Sequence, residues 1–180
     1  MSTISEELKT IFIHVPKNAG TSMEDMGFLG TVMTRHFGID HYDKQVDIDK
    51  YFKFAFVRNP YDRLRSGICQ HPLGGTRVTY KKFNEFIQKN KAMLDKWIAT
   101  KPQYTFVCID GKVRVDFIGR FENLQRDWAR VCNRLKINET LTLAHFKMGR
   151  YPKDLGYTKE NKELVRKIYA KDFDLFNYEK

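Results

Sequence analysis

Within six positions, Lys17-Asn18-Ala19-Gly20-Thr21-Ser22 supplies one ammonium group, two small residues and two hydroxyls. An anion cradle requires those parts: backbone N–H groups that a ligand can approach closely, a mobile point charge from Lys17, and directional donors from Thr21 and Ser22. A plain turn with a Ser/Thr helix cap is the competing reading of the same residues. Further along, Arg58 stands before Asn59-Pro60 and can fork onto a terminal phosphate, with the Ser66 hydroxyl two helical turns later able to donate to the same group. Histidine, whose ring nitrogen takes a proton near neutrality, occurs at 14, 36, 41, 71 and 145. The lysine of the first loop precedes the glycine, so the loop lacks the glycine-lysine-hydroxyl order of nucleoside triphosphatases. No clear acidic strand end for magnesium accompanies it, and no metal is expected.

The elements that must position these groups follow from local pattern. Ile11 to Val15 is an apolar run that leads into the Lys17 loop and then a helix beginning near Ser22. Phe54 to Val57 repeats the design, leading into Arg58 and a helix with Pro60 in its first turn and Leu64 and Ile68 on one face. Two strand-loop-helix units imply a parallel sheet, and the expected class is α/β, a central mostly parallel sheet flanked by helices.

From Tyr80 to Ile98 the spacing predicts two short helices interrupted near Asn90. Asp110-Gly111 suits a tight turn, so Tyr104 to Ile109 and Lys112 to Ile118 are expected to form an antiparallel pair. Helical period returns over Phe121 to Leu135. The stretch from Glu160 to Phe176 puts Leu164, Val165, Ile168 and Tyr169 on one face, which predicts an amphipathic helix against the sheet.

Length and composition fit one domain over 1–180, with no repeat, low-complexity run or linker. The formal charge of +10 is spread along the chain, which favours an anionic ligand. No helix-turn-helix spacing, zinc array or aromatic single-strand platform points to nucleic acid. Cys69, Cys108 and Cys132 are odd in number and show no C-x-x-C spacing, arguing for a reducing compartment without structural zinc. The polar, acidic start and the lack of any apolar stretch of about 18 residues predict a cytoplasmic protein without signal peptide or membrane anchor.

His14 to Ser22, reading HVPKNAGTS, resembles the 5′-phosphosulfate loop of sulfotransferases, particularly the carbohydrate type. Val57 to Ser66, VRNPYDRLRS, is similar to their 3′-phosphate motif, and the two occur in the family's order. Phe117 to Leu124 (FIGRFENL) and Tyr169 to Tyr178 (YAKDFDLFNY) also look like later segments of that family. The resemblance implies a sulfotransferase fold related to the phosphate-loop proteins. It implies transfer of a sulfuryl group from 3′-phosphoadenosine 5′-phosphosulfate (PAPS) to an acceptor hydroxyl, most naturally on a carbohydrate, leaving 3′-phosphoadenosine 5′-phosphate (PAP).

By the same resemblance Lys17 contacts the oxygen bridging sulfur and phosphorus, the rest of the loop holds the 5′-phosphate, and Arg58 with Ser66 holds the 3′-phosphate. His36 is chosen as general base from its place between the motifs, with His41 as rival and an acidic residue also open. His14, inside the first strand, is expected to pack locally, and His71 and His145 to be surface or loop residues. Arg150 and Lys153 precede the last helix in a loop resembling one that covers the nucleotide, and one of them is expected to touch it. Gln103 either lines the cleft or sits in a plain loop, and Glu122 is expected to tie Arg120 or a helix end. Arg63 is left open, Arg65 is expected to be a solvated helix-face charge, and Tyr151 and Tyr157 are expected to pack rather than stack on ligand. Two other functions compete: a nucleotide or metabolite kinase on a related fold, and a non-catalytic nucleotide- or polyanion-binding module.

Overall fold

The computed structural model describes residues 3–24, 29–32, 36–70, 72–73, 78–137, 152 and 155–180. Along the chain lie β1 (Thr3–Ser5), β2 (Thr10–Ile13), α1 (Gly20–Glu24), β3 (Thr31–Val32), α2 (Ile39–Asp43), β4 (Phe52–Val57), α3 (Pro60–Gln70) and α4 (Tyr80–Lys89). There follow α5 (Tyr104–Val107), β5 (Cys108–Ile109), β6 (Lys112–Val113), β7 (Phe117–Arg120), α6 (Leu124–Leu135), α7 (Lys159–Ile168) and α8 (Ala170–Leu175). They pack as two compact units, Met1–Arg58 with Gln103–Lys147, and Asn59–Pro102 with Met148–Lys180.

The first unit holds a mixed sheet of order β3-β1-β2-β4-β7. Strands β2, β4 and β7 run parallel, and β1 and β3 close one side antiparallel. The α/β expectation with a parallel core holds. Strand β4 is buried nearly throughout, as a central parallel strand with both faces covered must be. Its one charge, Lys53, is tolerated because the ammonium reaches the carbonyls of Ile48 (3.1 Å) and Tyr51 (2.9 Å) and the Asp116 carboxylate (2.9 Å). Phe12 and Phe54 are register partners on β2 and β4 and stack at 5.0 Å. Helix α6 covers them with Leu124, Trp128, Val131 and Cys132, spaced three and four apart on one stripe. On β7, Gly119 faces Phe56, and a Cβ there would sit 2.4 Å from the ring, so this strand position requires glycine.

Two expectations about this unit are corrected. The predicted hairpin is shorter than its sequence span: β5 and β6 pair around Asp110 and Gly111, whose φ of +49° and +75° fit a tight two-residue turn, but residues 104–107 are helical. Strand β7 leaves the hairpin and pairs with β4 because Asp116 redirects it, exchanging two 2.7 Å hydrogen bonds with the Lys53 backbone.

The second unit is helical. Asn59 caps α3, its side-chain oxygen accepting from the Tyr61 N–H (2.9 Å), and Pro60 takes the first helical position, where its missing N–H costs nothing. Thr79 and Thr158 cap α4 and α7 in the same way. The predicted C-terminal helix is two helices, α7 and α8, broken at Tyr169, whose hydroxyl donates to the carbonyl of Thr100 (2.8 Å) and lies 3.1 Å from that of Leu94. Of its apolar face, Val165, Tyr169 and Phe173 join Leu64, Ile68, Phe83 and Ile87 in a core within this unit. Of the two short helices expected from Tyr80 to Ile98, the first is α4 and the second is a single 3-10 turn at Lys91–Met93.

Candidate active site

The loop between β2 and α1 turns on backbone geometry that its residues do not prefer. Lys17 and Ala19 both have positive φ, +72° and +66°, with Asn18 between them on the ordinary side. Alternation of this kind turns successive N–H groups toward one concavity, the arrangement that binds anions. Each non-glycine residue held there costs on the order of 1 kcal/mol, and such strain persists where surrounding contacts enforce it. A plain capped turn does not need it.

Those contacts are identifiable. The Asn18 side chain is buried, and its amide donates to the carbonyl of Phe56 (2.8 Å) and to the Gln103 oxygen (2.9 Å). Both amide protons are thereby spent inside the protein, so what Asn18 offers a ligand is backbone. Gly20 rests against the His14 ring, where a Cβ would stand 2.1 Å from Cδ2. His14 is held in turn by the buried Glu24 carboxylate, 2.7 Å from its Nδ1. Burial pushes the Glu24 carboxyl up, but the hydrogen bond and charge of His14 outweigh it and the net shift is downward. Ser22 is buried at the start of α1, while Lys17, Ala19 and Thr21 remain partly open.

Arg58 stands at the end of the neighbouring strand. Its guanidinium lies 4.1 Å from the centre of the Phe121 ring, and its Nη1 donates to the carbonyl of Lys17 at 3.4 Å. The two loops that the sequence pairs as anion-binding segments therefore touch within the first unit. Gln103 accepts from the Arg58 N–H (2.9 Å) and donates to its carbonyl (2.8 Å). Gln103 is fully buried in the turn before α5, so its side chain holds the strand end and does not line an open cleft.

His36 lies edge-on to His14, ring centres 4.5 Å apart. Its Nδ1 is 3.2 Å from the His14 carbonyl, and since a carbonyl only accepts, Nδ1 carries the proton and Nε2 is left as the basic nitrogen. Burial, helped by neighbouring His14, lowers the His36 pKa to about 4. His41, the rival, lies on α2 stacked on Phe37 at 3.6 Å, and its Nε2 accepts from the Gln45 amide at 2.8 Å. His14 packs and hydrogen-bonds locally, as expected.

Ser66 belongs to the second unit, buried on α3. Arg63 there is 1% exposed, and Arg65 pairs with Asp62 at 2.8 Å and lies 5.7 Å from the centre of the Tyr157 ring. The expectation of a solvated Arg65 is thus corrected: a carboxylate one turn back and an aromatic face hold it in. Tyr157 packs, its hydroxyl donating to the Tyr61 carbonyl at 2.6 Å. Glu122 is exposed, and the Arg120 backbone N–H donates to the Asp127 carboxylate (2.9 Å). Arg150, Lys153, Tyr151, His71 and His145 lie outside the described residues. Glu24, Asp127 and Phe121 carry no role in the sequence reading. Phe121 was visible as the residue after Arg120 in FIGRFENL, and Glu24 only as an acid within the helix that follows His14.

A strained loop after one parallel strand, touched by an arginine at the end of the next, fits a phosphate-loop-like α/β fold without the triphosphatase signature. The family model described as sulfotransferase family matches residues 1–179, and the chain belongs to that family of PAPS-dependent enzymes. It is also similar to an uncharacterized protein of Archaeoglobus fulgidus, 34% identical over 96 residues, which cover 52% of this chain and 74% of that protein. No solved structure matches it. Among the described residues no helix is long and apolar enough to cross a membrane, and no cluster of side chains is placed to hold a metal.

Proposed function

We propose that this enzyme, as a single catalytic domain, transfers the sulfuryl group of PAPS to a carbohydrate hydroxyl, with Lys17 stabilising the leaving oxygen and His36 taking the acceptor's proton. The observation that carries the reading is the joining of the Lys17 loop to Arg58, directly at 3.4 Å and through Gln103. One cation is then available at each end of a nucleotide bearing both a 5′-phosphosulfate and a 3′-phosphate.

The donor supplies an activated sulfuryl group whose S–O bond to the 5′-phosphate breaks as the acceptor oxygen bonds to sulfur. The protein's part is positioning and charge. The loop N–H groups and the hydroxyls of Thr21 and Ser22 hold the 5′-phosphate, and Lys17 meets charge developing on the oxygen that leaves. Arg58, preset by Phe121, takes the 3′-phosphate. By the family resemblance, Arg150 or Lys153 supplies a further contact to the nucleotide. His36 receives the proton on Nε2, because Nδ1 already carries one toward the His14 carbonyl. The carbohydrate acceptor rests on the carbohydrate-type form of the two motifs. Incubation with labelled PAPS and a panel of sugar, phenol and alkyl alcohol acceptors tests it: label should pass to sugars, and transfer confined to phenols or alcohols would overturn the acceptor assignment.

A pH profile follows from His36. The neutral imidazole is the working form, so activity is lost as pH falls through its pKa, which burial has moved down to about 4. Accordingly kcat/KM should stay level from neutral pH to about one unit above that value and then decline, a limb absent in His36→Ala. The anionic donor favours the imidazolium, so the acid limb in kcat should lie at higher pH than the limb in kcat/KM. An acid limb in kcat/KM at the ordinary histidine value would contradict the assignment.

A further inference from the structure

We propose that Gln103 is the positioning residue that sets Arg58 relative to the Lys17 loop, and that it thereby controls how strongly the enzyme prefers a nucleotide with a 3′-phosphate. The proposal rests on the reading of Arg58 given above. β4 ends at Val57, paired with Arg120 of β7, so the peptide groups of Arg58 lie beyond the ladder. Gln103 takes up both: its oxygen accepts from the Arg58 N–H at 2.9 Å and its NH2 donates to the Arg58 carbonyl at 2.8 Å. A side-chain amide thus does what the peptide of another strand would do, extending the sheet by one residue on the side of the anion loop.

The same oxygen accepts from Asn18, 2.9 Å away, and the second proton of that amide goes to Phe56. Loop and strand end are therefore fixed to one atom. Gln103 is 0% exposed, so water does not substitute for these bonds at no cost. These bonds run through a fully buried side chain, which makes Gln103 a positioning residue rather than a catalytic one. Its removal should free the Arg58 backbone and, with it, the direction of the guanidinium, while the loop itself is still held by Gly20, His14 and Phe56.

The test compares affinities for PAP and for adenosine 5′-phosphate, which lacks the 3′-phosphate, in the parent, in Gln103→Leu and in Gln103→Glu. Gln103→Leu removes every polar contact at similar volume. Gln103→Glu keeps the accepting oxygen but sets a second oxygen against the Arg58 carbonyl, and it serves if the leucine variant does not fold. The expected result is a roughly tenfold narrowing of the preference for PAP, with affinity for adenosine 5′-phosphate changed less than about threefold. Equal loss of both affinities would reduce Gln103 to general scaffolding and overturn the proposal, as would an unchanged preference in a folded variant. A parent protein that shows no preference for PAP would instead remove the assignment of Arg58, and this inference with it.

Discussion

Lys17→Ala should lower kcat by about 10²- to 10³-fold while PAP affinity falls by less than about tenfold. The asymmetry follows from where the ammonium acts. A charge that meets the leaving oxygen is worth most when negative charge has accumulated there, so its removal raises the barrier more than it weakens the ground-state complex. In the proposed reading the 5′-phosphate is held by backbone N–H groups rather than by that side chain, and the left-handed backbone at 17 is no worse for alanine than for lysine. Lys17→Arg should not restore the rate, because a planar fork does not replace a point charge at the bridging position. Steady-state kinetics beside a binding titration measure both quantities. Turnover in Lys17→Ala close to that of the parent would exclude the role.

Gly20→Ala should be nearly as damaging, by another route. The new methyl group would lie 2.1 Å from His14 Cδ2 and 2.2 Å from Nε2. The ring has nowhere to retreat, held at Nδ1 by Glu24, flanked by His36 at 4.5 Å and stacked with Phe12 at 5.9 Å. Overpacking of a buried site costs about 1–3 kcal/mol, which for a domain of this size lowers Tm by roughly 2–4 °C per kcal/mol. The protein can escape only by moving the loop or by giving up the His14–Glu24 pair, and the first choice removes the anion cradle. Adding His14→Ala to Gly20→Ala should recover stability relative to the sum of the single changes, because the methyl group then enters space the ring has left. Thermal melts of the two single variants and the double variant check this. Simple additivity would mean that glycine at 20 serves some end other than close approach to His14.

Much of this arrangement was readable before any coordinates. IFIHV and FAFV are apolar runs with loop chemistry behind them, and they became β2 and β4, adjacent and parallel, with the Lys17 and Arg58 loops at the same end. What stayed hidden has physical causes. Strand β1, Thr3–Ser5, buries its two hydroxyl residues and leaves Ile4 partly open, so no hydrophobic pattern announces it. The C-terminal helices carry the apolar face their spacing predicts, but periodicity shows that a face is buried and not what buries it. Gln103 is the sharpest case. The family resemblance drew attention to Gln103 but gave it no partner, because Asn18 and Arg58 are brought to it only by the folded sheet. His36 was selected by type and place, whereas its tautomer and lowered pKa depend on the His14 carbonyl and on burial, which spacing does not encode.

A titration calorimetry experiment with PAP in magnesium-free buffer, run beside ATP with and without magnesium, bears most directly on the central assignment. One molecule of PAP per chain should bind without metal, more tightly than ATP under either condition, and the affinity should drop in Arg58→Ala. Binding of ATP in preference to PAP, dependent on magnesium, would point to a kinase and contradict the sulfuryl-transfer account, and binding of neither nucleotide would contradict it as well.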